Sequence, residues 1–523
     1  MPTLTELRDD AFSASQNAHN RMKRELAIYA NEIYSSGNIS IGRLKPLVAA
    51  SLDPKIKKGI HRLLPAFLEQ MPRIEVQPDS RTFMEDDLVL VQDIQNWMDM
   101  MDEVDSEGDR LRSLVTHNLV CGNAISKVRY DFKRQVVTAE AIDPLTFAPD
   151  PKCANSDFSD ASYVVQQNHH MGRDIKKRYK LPSNRDSNWE RAGYRVDEMW
   201  LTKEQADDCG INVKKCRTPT VLASLVNDEI SRVQESPFWW PSFPFVAWRN
   251  FLNLLGDGKA HDFWGYGYGT FMWPQQKLYD ELLANLILIN RNTSVGRFLT
   301  TEGTLDRERI LAEHGIVIEL EEGKDMTDIQ HLPPEDIPVA LFNFVQMLGQ
   351  IMDEMMPSLS PVFTGDAPFS GASGRAVSSL QQAAFNQLSD NVASMNDFRM
   401  RRARMKVTMI QQFAERPLAP HLWRGGLDLP DRFPDDARKI GYQLVMPDAT
   451  SIPNTLAGKI QVVQFLQASG YQLSPQRFVE FLGLDKGFGL QVEDLLIPAP
   501  PQGSPQADET ILSGQEAALR SER

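Results

Sequence analysis

The chain has 523 residues, 42% of them hydrophobic and 24% charged, with 56 basic against 70 acidic side chains for a net charge of −14. That length can bury a substantial core, divided among about two to four domains. So acidic a surface disfavours a tight clamp on nucleic acid, where affinity comes from Lys and Arg displacing counterions, but it leaves room for a duplex that passes without being gripped. Apolar runs such as Leu286 to Ile289 fall far short of the roughly 20 residues of a membrane span, and the opening MPTLTELRDDAF has no basic-then-apolar signal pattern, so a cytosol-like compartment is expected. Cys121, Cys153, Cys209 and Cys216 fit no zinc spacing and read as reduced thiols.

The first 70 residues read as helices: Leu4, Leu7, Phe12, Met22, Leu26, Ile28, Tyr29 and Ile33 favour a 3.6-residue period, and a further helix is expected over 54–67. Residues 84–118 give one or two more amphipathic helices, acidic on the wet side. From Gly122 the pattern changes. AISKVRYD and VVTAEAID alternate around FKRQ, a β-hairpin ended by Pro144. A strand ending at Met171, a short basic helix, and strands in YRVDEMWLT and TPTVLASLV follow. ESPFWWPSFPFVAWRNF, with three of the nine tryptophans, should be extended and anchored by its rings. Residues 120–255 therefore form an α+β block.

Beyond it, Thr270 is a candidate N-cap and Pro274 a first-turn residue of a helix of about 22 residues, in which Leu278, Leu282, Leu286 and Ile289 recur at helical spacing. A small β-like insert with a strand over 315–320 interrupts. A second helix is expected from Asp336 to Pro357, with Leu341, Phe344, Val345, Leu348, Ile351, Met352 and Met355 on one face. The nearly uncharged loop PSLSPVFTGDAPFSGASG then leads to a long helix over 374–415. About 40 residues at 1.5 Å each reach on the order of 60 Å, so this helix must cross the molecule or bend. A strand over 439–450, two or three short helices and a Pro, Gln and Ser-rich end complete the chain.

Catalytic motifs are missing. Gly256 to Lys259 lacks the spacing and hydroxyl of a phosphate-binding P-loop, and no nucleophile elbow or zinc motif occurs. His169 and His170 point to opposite faces of a strand. Asp143, Asp150, Asp157 and Asp160 suit solvated turns better than a divalent-cation site. The G-x-G-x-G of Gly265 to Gly269 is better explained by tight turning before a helix than by phosphate.

The order of these parts, with GNA opening the hairpin and SGASGRAVSSLQQAA opening the long helix, resembles the portal (head-to-tail connector) proteins of tailed double-stranded DNA bacteriophages. The resemblance spans almost the whole chain. It implies an α+β, predominantly helical subunit of a ring of about twelve copies around a central channel. The wing would be 1–260, a first stem helix with its lead-in 261–296, the clip 297–335, the second stem helix 336–356 and the tunnel loop 357–373. The long wing helix and return strand would be 374–450, the crown 451–497 and a loose tail 498–523.

The implied function is a DNA conduit at one capsid vertex, through which the genome is packaged and ejected, with no catalytic residue, metal, cofactor or membrane anchor. The implied partners are double-stranded DNA bound without sequence preference, terminase, tail or adaptor proteins, and capsid and scaffolding proteins. The particle would be assembled in the host cytoplasm and the protein kept in the virion. Val362, Phe363, Thr364, Gly365, Asp366, Phe369 and Ser370 would face the DNA, where a neutral Gly, Ser and Pro segment touches phosphates without acting as a brake. Asp280, Glu281, Asp353 and Glu354 are candidates for an acidic channel wall that keeps a polyanion centred. Arg307, Glu308, Arg309, Glu319, Glu321 and Glu322 are candidates for partner docking in the clip. Two competing readings are a metal-dependent DNA-processing enzyme using the aspartates of 143–160, and another structural adaptor of the virion.

Overall fold

The computed structural model describes residues 2–32, 51, 53–69, 71–79, 85–179, 189–211, 218–252, 262–294, 297–300, 329–332, 339–356, 388–413 and 441–446. The chain divides into units Met1–Met446 and Pro447–Arg523. The second unit, with the expected crown and tail, lies outside the described residues, as do the tunnel loop and the body of the clip.

A single helix α1 (Leu4–Ala30) opens the fold. Thr3 Oγ1 accepts from the Glu6 amide while Glu6 Oε2 accepts from the Thr3 amide, and the helix ends at Asn31 in a left-handed conformation. Helix α2 (Lys55–Glu69), strand β1 (Glu75–Pro78) and helices α3 (Glu85–Val104) and α4 (Glu107–Cys121) follow. The expected hairpin is β2 (Asn123–Asp131) with β3 (Val136–Ile142), paired from Ile125 opposite Ile142 to Asp131 opposite Val136, with FKRQ as its loop.

Next come β4 (Phe147–Pro149), β5 (Tyr163–Met171), α5 (Gly172–Arg178), β6 (Gly193–Thr202), α6 (Lys203–Asp208), β7 (Thr220–Val226), β8 (Glu229–Glu235) and β9 (Phe245–Arg249). Strands β4 to β8 form one antiparallel sheet in chain order, and β3, β2 and β9 form a second. Strand β8 was not foreseen, because EISRVQE is polar and mostly exposed at the sheet edge. Its signal is the turn before it: Asn227 and Asp228 both take positive φ, the geometry of a tight hairpin, and both residue types tolerate it.

The last described elements are α7 (Tyr268–Ser294), β10 (Arg297–Thr300), β11 (Ile329–Leu332), α8 (Val339–Met355), α9 (Ser389–Phe413) and β12 (Tyr442–Val445). β12 is the return strand and pairs with β1, which the sequence reading missed. Pro274 lies inside α7 rather than in its first turn, since the helix begins at Tyr268. Thr270 is therefore no N-cap, and its hydroxyl donates instead to Glu25.

The main core joins α2, α3, α4, the hairpin and α9 through buried side chains such as Phe67, Ile94, Trp97, Val128, Phe245 and Ile410. The start of α1 covers the larger sheet with Leu4 and Ala11 against Val165, Met199, Leu201 and Ala223. In the same face Arg8 donates to the wholly buried Asp197 at 2.9 Å.

Helix α9 carries two buried cations into the main core. Arg402 meets Glu107 at 2.8 Å and donates through Nε to Ser126 Oγ at 3.0 Å. Lys406 Nζ donates to Asp102 at 2.6 Å and to Glu107 at 2.8 Å. Burial pushes Glu107 up, but Arg402 and Lys406 outweigh it and hold the carboxyl at about 2. A carboxyl held below its ordinary 4.5 gives stability that is complete above that pH and is lost as pH falls toward 2. Glu107→Gln should cost about 3 kcal/mol near pH 7, because it strands buried positive charge. Urea titrations followed by tryptophan fluorescence should show that cost, and the variant should lose the corresponding acid-dependent part of its stability between pH 4.5 and 2.

Candidate functional site

Among the described residues, α7 and α8 leave a large share of their apolar side chains outside the chain's own packing. Its geometry starts at the turn before α7. The Gly265 amide donates to Asn123 Oδ1 at 2.8 Å, and Asn123 Nδ2 and Arg21 both donate to the Gly265 carbonyl, at 3.1 and 2.7 Å. The Arg21 guanidinium also lies over the Tyr266 ring, 4.1 Å from its centroid. Gly267 runs so close to Val120 that an added Cβ would come within 2.0 Å of the Val120 carbonyl oxygen. Gly122 opposes the same turn at φ +72. The G-x-G-x-G thus serves close packing of two turns. Glu25 of α1, itself buried, accepts from Thr270 in the first turn of α7, and burial raises its carboxyl above the ordinary range despite that hydrogen bond.

One turn further on, the start of α2 fastens both helices. Gln276 of α7 accepts from the Lys55 amide at 3.1 Å and donates to the Asp53 carbonyl at 3.0 Å. Lys55 Nζ crosses to α8, donating to the Gly349 carbonyl at 2.9 Å and to Asp353 at 2.8 Å. Met356, just past α8, is buried with its sulfur against Gly59 of α2. Beyond these anchors the two helices pack on each other, and β10 pairs with β11 in an antiparallel ladder from Arg297 opposite Leu332 to Thr300 opposite Ile329. Two rods closed by a β-ladder agree with the expected helix, insert, helix order.

Helix α8 has only Leu348, Gly349 and Met352 buried. Val339 is 71% and Phe342 50% exposed, and Phe344, Met347, Ile351 and Met355 are exposed as well. On α7, Leu278 and Ile287 are exposed too. Scattered single apolar residues on a surface are ordinary, whereas here they recur along one helix.

The channel-wall candidates separate. Asp280 is wholly buried, accepting from Ser51 Oγ at 2.7 Å and Gln276 Nε2 at 3.0 Å, so it is unavailable to a channel wall and is corrected to an anchor of α7. Asp353 is partly exposed and engaged by Lys55. Glu281 is partly exposed beside Lys277 at 3.9 Å, and Glu354 is exposed. All the candidate residues of the tunnel loop, from Val362 to Ser370, and of the clip, from Arg307 to Glu322, lie outside the described residues.

The aspartates of 143–160 serve their own turns. Asp143 accepts from the Leu145 amide, Asp150 from the Lys152 and Ser162 amides, and Asp157 from the amide and hydroxyl of Ser159. Burial raises Asp160, but bonds from the Ala154 and Asn155 amides and the Cys153 thiol outweigh it and lower its carboxyl. Among the described residues no group of three or more His, Cys, Asp or Glu could hold a metal ion, and no helix is long and apolar enough to cross a membrane.

No protein-family model and no curated protein matches the chain. Among solved structures it is similar to a chain from the neck of an empty GTA particle, at 10% identity and a TM-score of 0.40, over 82% of this chain and 90% of that one. A likeness that loose fixes neither fold nor function.

The turn before α7 predicts the cost of losing a glycine. In Gly122→Ala the new Cβ would lie 2.1 Å from the Tyr266 carbonyl carbon at a positive φ that disfavours alanine, so a loss well above about 1 kcal/mol is expected. Differential scanning fluorimetry should show a lowered apparent Tm, and hydrogen exchange should quicken first at the start of α7.

Proposed function

We propose that the chain is the subunit of a portal ring, a DNA conduit at one vertex of a phage-type capsid. The observation that carries this reading is the anchored pair α7 and α8, closed by β10 and β11, with apolar side chains exposed along most of α8. An apolar helical surface on a charge-rich chain calls for a partner that buries it. Where the same patch meets a different patch on the next copy, the contact is head-to-tail, and a rotation that closes gives a ring. The order of elements along the chain supports the same reading through its resemblance to portal proteins.

In this proposal α7 and α8 surround the channel, and Glu281, Asp353 and Glu354 are the candidates left for its wall. The loop 357–373 slides along the duplex because it lacks cations to hold phosphates. The segment between β10 and β11 meets terminase during packaging and the tail adaptor afterwards, and capsid and scaffolding proteins meet the outside of the ring. The assembly is non-enzymatic, and its place is the virion.

The purified protein should sediment as a species near twelve times 59.2 kDa and show a central pore in negative-stain micrographs. A monomer or dimer without a pore would overturn the reading. Phe342→Asp combined with Met347→Asp should leave the circular dichroism spectrum unchanged and shift the species to free subunits, since neither side chain is buried within the subunit. Three lysines placed within 362–372 should leave rings intact and reduce packaged DNA; unchanged packaging would remove this loop from the channel.

A further inference from the structure

The charge network around α9 does not balance. Arg399, Arg402 and Lys406 lie close to two carboxylates, Asp102 and Glu107, each of which is already paired with Lys406 or Arg402. The next acid, the buried Asp105, is paired with Arg110 at 2.8 Å. One positive charge is left over, and it belongs to Arg399.

Among the described residues Arg399 makes no hydrogen bond or ion pair, and its Nη1 is buried without a partner. Burial, and then the neighbouring Arg402, push its guanidinium down to about 10 against the pull of Glu107 and Asp102. A cation held this way costs the subunit stability, because nothing close by offsets its loss of water. Three residues earlier, on the same helix face, Asn396 leaves its Oδ1 buried and unpartnered as well. Native proteins seldom leave such groups unsatisfied. Arg399 and Asn396 each keep part of their surface in solvent, so a group from outside the subunit can reach them.

We propose that this strip of α9 docks a second copy of the chain, which brings a carboxylate side chain to Arg399 and a hydrogen-bond donor to Asn396. The surplus charge is of one sign, so only an anion cancels it, and the chain itself carries acids in excess, 70 against 56 basic side chains. A free small anion would leave Asn396 without a donor. A nucleic-acid strand gains its affinity from a row of cations, whereas here one cation stands near Asp390 and Asp397, both exposed on the same helix. The inference rests on the self-assembly proposed above, but the contact is separate from the apolar surface of α8.

The test uses the full-length protein. Sedimentation velocity over a dilution series gives the dissociation constant of the assembly, and scanning fluorimetry of the dissociated subunits gives their apparent Tm. Arg399→Met keeps the aliphatic stem and removes the charge. It should weaken association at least about tenfold, a change of about 1.4 kcal/mol, while the dissociated subunits melt at or above the wild-type Tm. Arg399→Lys should lose less, and Arg404→Met, at an exposed position of the same helix, should associate as wild type does. A lowered Tm, or failure of Arg399→Met to fold, would mean that the subunit itself holds the guanidinium, and the proposal falls. It also falls, with the ring reading left standing, if Arg399→Met associates at wild-type strength or if Arg404→Met weakens association equally. A wild type that never associates overturns the ring reading and this contact together.

Discussion

Burying the two cations of α9 is possible only because Glu107 and Asp102 wait for them. Removing a guanidinium and an ammonium from water carries a desolvation penalty of several kcal/mol each, which close carboxylates and the Ser126 hydroxyl must offset. Such a match tolerates no slip. Rotating α9 by one residue would bring Arg402 and Lys406 out of reach of α3 and α4 and turn Phe398, Met405 and Ile410 out of the core, so charge pairing and packing fix the same register. Other features then fall into place: Ser394 accepts from the Trp248 indole at 2.9 Å, and Gln412 bridges to the Trp239 amide and the Pro237 carbonyl.

A different logic holds α7 and α8. Few of α8's residues are buried, and its attachment rests on Lys55, Met356 and contact with α7. The pair is rigid at its anchored end, where the glycine turns, Asn123, Gln276 and Asp280 leave no freedom, and apolar on its outer surface. A subunit can keep such a surface when assembly buries it, since transfer of apolar area from water drives association without specifying direction. Direction comes from the anchor, where Lys55 and Gln276 fix α7 and α8 against the start of α2.

Much of this was legible along the chain. The hairpin with its FKRQ loop, the acidic helical stretch before it, strands β5, β6 and β7 of the larger sheet and the two helices around an insert all follow from periodicity and from Gly and Pro punctuation. Strand β1 was missed because EVQP is too short to show a period, and β8 because an exposed edge strand has no apolar alternation to reveal it. Pro274 was placed in the first turn because proline is best tolerated there, yet the turn at Tyr266 to Thr270, held by α1 and Asn123, starts the helix earlier.

Asp280 shows the same limit at the candidate site. On a helical wheel an aspartate beside a glutamate reads as solvent-facing, and only the return of residues 51 to 55 against α7 makes it an internal acceptor. The sequence by itself determined most of the helices and the buried strands, and the apolar positions recurring along α8, because these depend on local dihedral preference and period. Only the tertiary structure decided which charges are buried in pairs and which glycines touch another backbone, because each of those depends on groups far apart in the chain meeting at one point.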